Sequence, residues 1–236
     1  MPELGVVTRV LLGFARDGSD DRGLARTICG ACVNGLDVDG ASISVLTVTD
    51  ARETLSATDR TAQLLEDLQF TLNEGPCVEA ALTGDPVLVP DVQDSTDTAR
   101  WPAFAAAVME QTEARALFAL PLQWGAINLG VLDLHRRDPG GLTDGERRDA
   151  FGAADVAALM MLGQRTDPGG GGWLDGGVAS RAEIHQATGM VLVQLGVTAP
   201  EALARLRAHA FVQGRLLIDV ARDVVARRVS FLEDVQ

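Results

Sequence analysis

Residues 41–49 (ASISVLTVT) alternate apolar with polar side chains and are rich in β-branched types, which predicts a strand, and a second strand follows over 51–57. Residues 60–70 change period: Leu64, Leu65 and Leu68 fall on one helical face. A turn-rich loop at 73–77 leads into a short helix ending near Leu82. Thr83-Gly84-Asp85 then turns the chain into Val87-Leu88-Val89, where Pro90 confines the strand to an edge or an end. Pro102 suits the first turn of a helix over 102–113. Residues 116–122 and 127–135 read as two strands of a hairpin. Thr143 and Glu146 form a capping box for a long helix over 144–165. Earlier in the chain, Ser19 suits the cap of a helix that runs to Asn34 and stops at Gly35. Strands interleaved with helices, hairpins included, predict a mixed α/β domain on an antiparallel sheet over residues 1–165.

The pattern breaks at Asp167-Pro168 and the four glycines 169–172, which no helix tolerates. Residues 166–179 read as a flexible linker. Beyond it, over 180–236, every period is helical. Ser180 and Glu183 make one capping box, and Thr198 and Glu201 make the next. Gly196 and Gly214 stop the first two helices. A third helix is expected over 217–230, and its start has no capping residue. Three short helices make an all-α bundle with a modest core, one that leans on a partner.

Charge changes this picture more than composition does. The chain has 236 residues and a net charge of −13, and all 20 of its basic residues are arginine. Residues 178–236 carry 7 arginines against 6 acids, so the remaining 13 arginines and 27 acids give the first 177 residues a net charge of −14. The acidic part repels nucleic acid; the last quarter does not. No apolar run reaches the length of a membrane span. The apolar patch Val10–Phe14 follows Glu3 without a cleavage site, so the expected compartment is the cytoplasm. Cys29 and Cys32 form a C-x-x-C inside a helix, on the stripe of Leu24, Ile28 and Ala31, which is a packing position. A zinc site there lacks ligands.

Two segments carry a resemblance. Ile184, the run Gln186-Ala187-Thr188-Gly189-Met190, Glu201-Ala202, Leu206, Ala210, Gly214-Arg215, Val220-Ala221 and Val224-Val225 together closely resemble the ANTAR domain. Asn73-Glu74-Gly75-Pro76-Cys77, the stretch Gly84 to Asp91, Arg100-Trp101-Pro102, Leu120-Pro121-Leu122 and Gly130 to Leu134 resemble a GAF domain. The resemblance implies a six-stranded antiparallel sheet that senses a small molecule or dimerises, followed by a three-helix module that binds RNA. In such regulators paired modules hold tandem hairpins of a nascent transcript and keep a terminator from forming. A homodimer with RNA and an unidentified small effector as partners is therefore expected, and no cofactor is named. Many ANTAR domains have Lys or Arg where this chain has Thr188, which removes one charge from the RNA face.

The residues expected to meet RNA are Arg181, Gln186, Thr188, Gly189, Arg205, Arg215, Arg222, Arg227 and Arg228. Phosphate neutralisation supplies most RNA affinity, so arginines that gather on one face would be the reader. Gly189 inside a helix costs about 1 kcal/mol relative to Ala, a position suited to close approach of another backbone. In the first domain Cys77, Trp101, Phe104, Phe118 and Trp124 are the candidate lining of an effector pocket, or else ordinary core. No catalytic or metal-binding constellation is expected: Asp133 and His135 on one strand face make a poor metal site, and the cysteine spacing does not fit a GAF-type methionine sulfoxide reductase. The competing reading is a protein-interaction regulator whose helical module only dimerises.

Overall fold

The computed structural model describes residues 5–14, 21–46, 52–125, 127–165 and 181–232. The linker segment 166–179 and the capping residues Ser19 and Ser180 lie outside them. The first domain runs α1 (Val6–Phe14), α2 (Asp21–Gly35), β1 (Gly40–Leu46), β2 (Arg52–Ala57), α3 (Arg60–Leu72), α4 (Pro76–Thr83) and β3 (Val87–Val89). It continues through α5 (Ser95–Arg100), α6 (Pro102–Gln111), β4 (Ala116–Trp124), β5 (Ile127–Arg136) and α7 (Asp144–Arg165). All strand pairs are antiparallel, in the order β2-β1-β5-β4-β3. The family resemblance implies six strands; the described residues form five, in the same five segments that the sequence reads as strands.

Period-two alternation sorts the sheet into two faces. Ala41, Ile43, Val45, Phe118, Leu120, Leu132 and Leu134 face one way and pack with α1, α2 and α7. Cys29 and Cys32 sit fully buried in that layer as free thiols. Burial pushes the Cys32 thiol up to about 12 and moves Cys29 further in the same direction, so both are inert packing groups. Leu117, Ala119, Val131, Val87 and Val89 face the other way, under α3, α4 and α6.

Helix α1 has no acidic residue in its own first turn. Its cap comes from the far end of the domain. The Asp149 carboxylate on α7 accepts the backbone N–H groups of Val7 and Thr8 at 3.0 Å each and the Thr8 hydroxyl at 2.9 Å. A buried carboxylate holding three donors is a strong staple. Asp149→Ala leaves those donors unmet and is expected to cost about 2–3 kcal/mol. A denaturant titration checks this, and an unchanged midpoint would contradict it.

The C-terminal region is helical: α8 (Ala182–Leu195), α9 (Ala199–Val212) and α10 (Leu217–Val225). Ile184, Ala187, Val191, Ala202, Leu206, Ala210, Leu217, Val220, Ala221 and Val224 close around one core. The Thr198–Glu201 capping box forms on α9. Helix α10 ends five residues earlier than the apolar pattern predicts. Arg227 adopts the left-handed conformation (φ 58°), and the Arg228 N–H bonds back to the Asp223 carbonyl at 2.7 Å, which terminates the helix.

This region does not stand apart from the first domain. Phe70 of α3 is part of its core. Leu216, at the cap position of α10, offers no side-chain acceptor. The Thr71 hydroxyl of α3 accepts the Leu217 N–H at 3.0 Å in its place. The missing cap and the thin core are both completed by the GAF-like domain.

Candidate functional site

One half of the sheet face beneath α3 is polar. Ser42 and Ser44 on β1, Arg52 and Thr54 on β2 and His135 on β5 are buried, and Asp133 on β5 is half-buried beside them. Helix α3 covers them with Glu66 and Gln69, both only 2% exposed. The Ser42 hydroxyl donates to Glu66 at 2.9 Å and the Thr54 hydroxyl to its other oxygen at 3.4 Å. Gln69 accepts the Cys77 N–H at 2.8 Å, and the Cys77 thiol lies 3.4 Å from the Ser44 hydroxyl. Burial, reinforced by the Glu66 charge, pushes the Asp133 carboxyl well above its ordinary value. Burial raises the Cys77 thiol in the same way. Glu66, Cys77 and Asp133 bring one donor atom each within 4.8 Å of one another. Burial raises both the Cys77 thiol and the Asp133 carboxyl, and with the Arg52 charge acting on them the set is a buried polar network. Burial lowers His135, against the pull of Asp59, whose carboxylate lies 3.3 Å away.

Arg52 Nη1, Asp133 Oδ2 and His135 Nδ1 are buried without a protein partner. Beside them lies a cavity of about 10 Å³, lined by Ser42, Gln69, Phe104, Asp133 and His135 among others. That is room for about one water. The predicted five-residue pocket does not assemble around it. Cys77, Trp101 and Phe104 share one cluster, and of these only Phe104 lines the cavity. Strand alternation turns Phe118 to the opposite face, among α1, α2 and α7. Trp124 stands 49% exposed at the end of the β4–β5 hairpin. The polar set was not anticipated, although Arg52-x-Thr54 against Ser42-x-Ser44 is legible as a polar stripe; the bulge after Ile43 turns Ser56 away from it, opposite Ile43.

A second concavity, about 570 Å³, lies on the C-terminal region between α8 and the segment after α10. Gln186, Gly189, Met190, Val193 and Gln194 line one side; Arg227, Val229, Ser230 and Leu232 line the other. Gly189 is exposed, and a side chain there would meet nothing within 4 Å.

A GAF domain family model matches residues 19–165, more than half of the chain, and an ANTAR domain model matches residues 174–225. The chain belongs to the GAF domain family and carries an ANTAR domain. Among solved structures, the GAF domain of a phosphoenolpyruvate-protein phosphotransferase from Coxiella burnetii is similar, with TM-score 0.53 and 11% identity over 67% of this chain and 92% of that one. A GAF domain/HD domain protein from Geobacter sulfurreducens gives 0.51 and 12% over 64% and 99%. These likenesses support the fold alone. No curated protein matches in sequence. GAF domains are sensory, and ANTAR domains act as RNA-binding antitermination regulators. Among the described residues no single helix is long and apolar enough to cross a membrane.

The nine ANTAR residues expected to meet RNA do not share one face. Gln186, Gly189 and Arg227 come together in the groove. Arg205 is exposed on another concavity with His209 and Phe231. Thr188 returns its hydroxyl to the Ile184 carbonyl at 2.7 Å, along its own helix. Arg215 and Arg228 do converge, but on Asp223, each at 2.7 Å, which holds that carboxyl below its ordinary range. Arg222 instead reaches Glu183 at 3.7 Å and Asp219 at 3.4 Å. Arg181 departs furthest from expectation. It is buried against the GAF domain, its guanidinium 3.6 Å from the Phe70 ring centroid and donating to the Thr54 hydroxyl at 3.1 Å. Burial pulls its pKa down to about 10, against the pull of Glu66 and Asp67, so it stays charged at neutral pH. The sequence places Arg181 at a helix start beside the linker, where nothing signals an aromatic partner 111 residues earlier.

Proposed function

We propose that this protein is a signal-responsive regulator that binds RNA hairpins through its ANTAR domain and acts by transcription antitermination. The observation that carries the reading is the groove at α8. It joins a surface glycine, two amide side chains and Arg227, and Arg227 makes no carboxylate pair among the described residues. A three-helix reader of this kind contacts phosphate through Arg227 and bases through Gln186 and Gln194, and Gly189 admits the RNA backbone. The finer domain plan is a GAF sensor over 1–165, a linker over 166–179 and the reader over 180–236.

The sensory site is the polar network beneath α3. Its unmet groups suit a small polar effector, and binding there requires α3 to move, because the present cavity is water-sized. The protein acts as a cytoplasmic homodimer. Val6, Val10 and Leu12 on α1 and Leu159 on α7 leave apolar area exposed on adjoining helices, which suits self-association. Two readers on one dimer raise the effective concentration for a tandem hairpin.

The test is equilibrium binding of the full chain to a two-hairpin RNA and to each hairpin alone. Binding is expected to be salt-dependent and tighter to the pair. Equal affinity for an unstructured RNA of the same length would count against the proposal. One observation favours the second reading, a module that only contacts protein: Met190, Val193 and Leu232 make part of the groove apolar. A protein-only module would bind neither RNA.

A further inference from the structure

Helix α3 presents a surface that receives the ANTAR domain. Four contacts define it. Phe70 inserts into the ANTAR core. The Arg181 guanidinium covers one side of that ring and reaches Thr54 within the GAF polar network. Arg207 lies 5.0 Å from the same ring, and its Nε donates to the Phe70 carbonyl at 3.2 Å. Thr71 caps α10. Two guanidinium groups on one phenyl ring form a cation–π clamp.

The clamp is built to be reversible. Arg181 Nη1 is buried without a partner, as is Arg52 Nη1 in the network it approaches. Arg52 repels both Arg181 and Arg207, and burial lowers the pKa of each of those two. Docking therefore desolvates two cations and leaves Arg181 Nη1 unsatisfied, whereas the undocked state returns both to water. The docking surface and the sensory network also share side chains: Thr54 and Glu66 serve both.

We propose that the α3 surface is an intramolecular docking site for the ANTAR domain, in competition with RNA: docked, it withholds Arg181 and Arg207 from phosphate; released, it supplies both. Arg181 is thus a shared residue, a wall of the sensory network in one state and an RNA contact in the other. An effector that displaces α3 would shift the balance between the two states. The inference rests on the RNA reading above.

Phe70→Ala tests it from the GAF side, with every candidate RNA contact left in place. The variant is expected to bind two-hairpin RNA about tenfold tighter, by removing the penalty of a docked majority. Its log–log salt slope should match that of the parent chain, because the RNA-bound state is released in both and makes the same phosphate contacts. Thr71→Val, which deletes only the acceptor for Leu217, should move affinity in the same direction by a smaller step, and guards against a folding defect in the first variant. Hydrogen exchange on the unmodified chain gives an independent readout: adding RNA should deprotect residues 68–72. If both variants bind RNA like the parent chain, and α3 protection is unchanged by RNA, the docking inference falls while the RNA reading stands. If no form binds RNA, both fall.

Discussion

Arg227→Glu is expected to weaken binding of hairpin RNA by more than tenfold. The left-handed turn at φ 58° fixes Arg227 at the rim of the α8 groove. Reversing its charge removes one phosphate contact and adds repulsion to a polyanion. The log–log salt slope should fall in magnitude by about 0.7–0.9 for the lost contact alone. Stability should hardly change, because the side chain is exposed. Arg222→Gln is the internal control. Its guanidinium already faces Glu183 and Asp219, and its loss should shift affinity much less. Equal losses from the two variants would show that general positive charge, and not the groove, governs binding.

Gly130→Ala is expected to destabilise the GAF domain by about 3 kcal/mol or more, a severe case of overpacking. Gly130 pairs with Val45 on β1 and Leu122 on β4 in the middle of the sheet. A Cβ there would sit 2.1 Å from the Ser44 carbonyl oxygen and 2.9 Å from the Val45 Cα. Both atoms are backbone, so relief requires the β1–β5 ladder to part. For a chain of this size the loss corresponds to a Tm lower by about 6–12 °C. Thermal unfolding followed by circular dichroism reads it directly, and an unshifted Tm would mean that the two strands do not approach so closely.

Much of the fold was legible because its signals are local. Alternation marks β1, apolar runs bounded by turn residues mark β4 and β5, and Thr198 with Glu201 sets the start of α9. Elements whose support comes from a distance were hidden. Helix α1 depends on Asp149, 142 residues away, and α10 depends on Thr71, 146 residues before its first N–H. The premature end of α10 was also obscure, since Arg227 takes a conformation usually left to glycine or asparagine.

The candidate sites divide along the same line. Gln186 and Gly189 are three apart on one helix, so sequence spacing brings them to one face. Neither the burial of Arg181 nor the sharing of Asp223 by Arg215 and Arg228 follows from spacing, because each depends on how helices from separate segments cross. For Phe118 the reason is parity. It lies one residue from Leu117 and Ala119, which puts it on the opposite sheet face from the cluster that holds Cys77 and Phe104.

Ultraviolet crosslinking of a two-hairpin RNA to the intact chain, followed by mapping of the attached peptides, locates the interface without assuming it. The groove reading predicts adducts within 186–194 and 227–232, with few on the GAF domain's acidic surface. Adducts confined to residues outside those two segments, at saturating RNA, would contradict it.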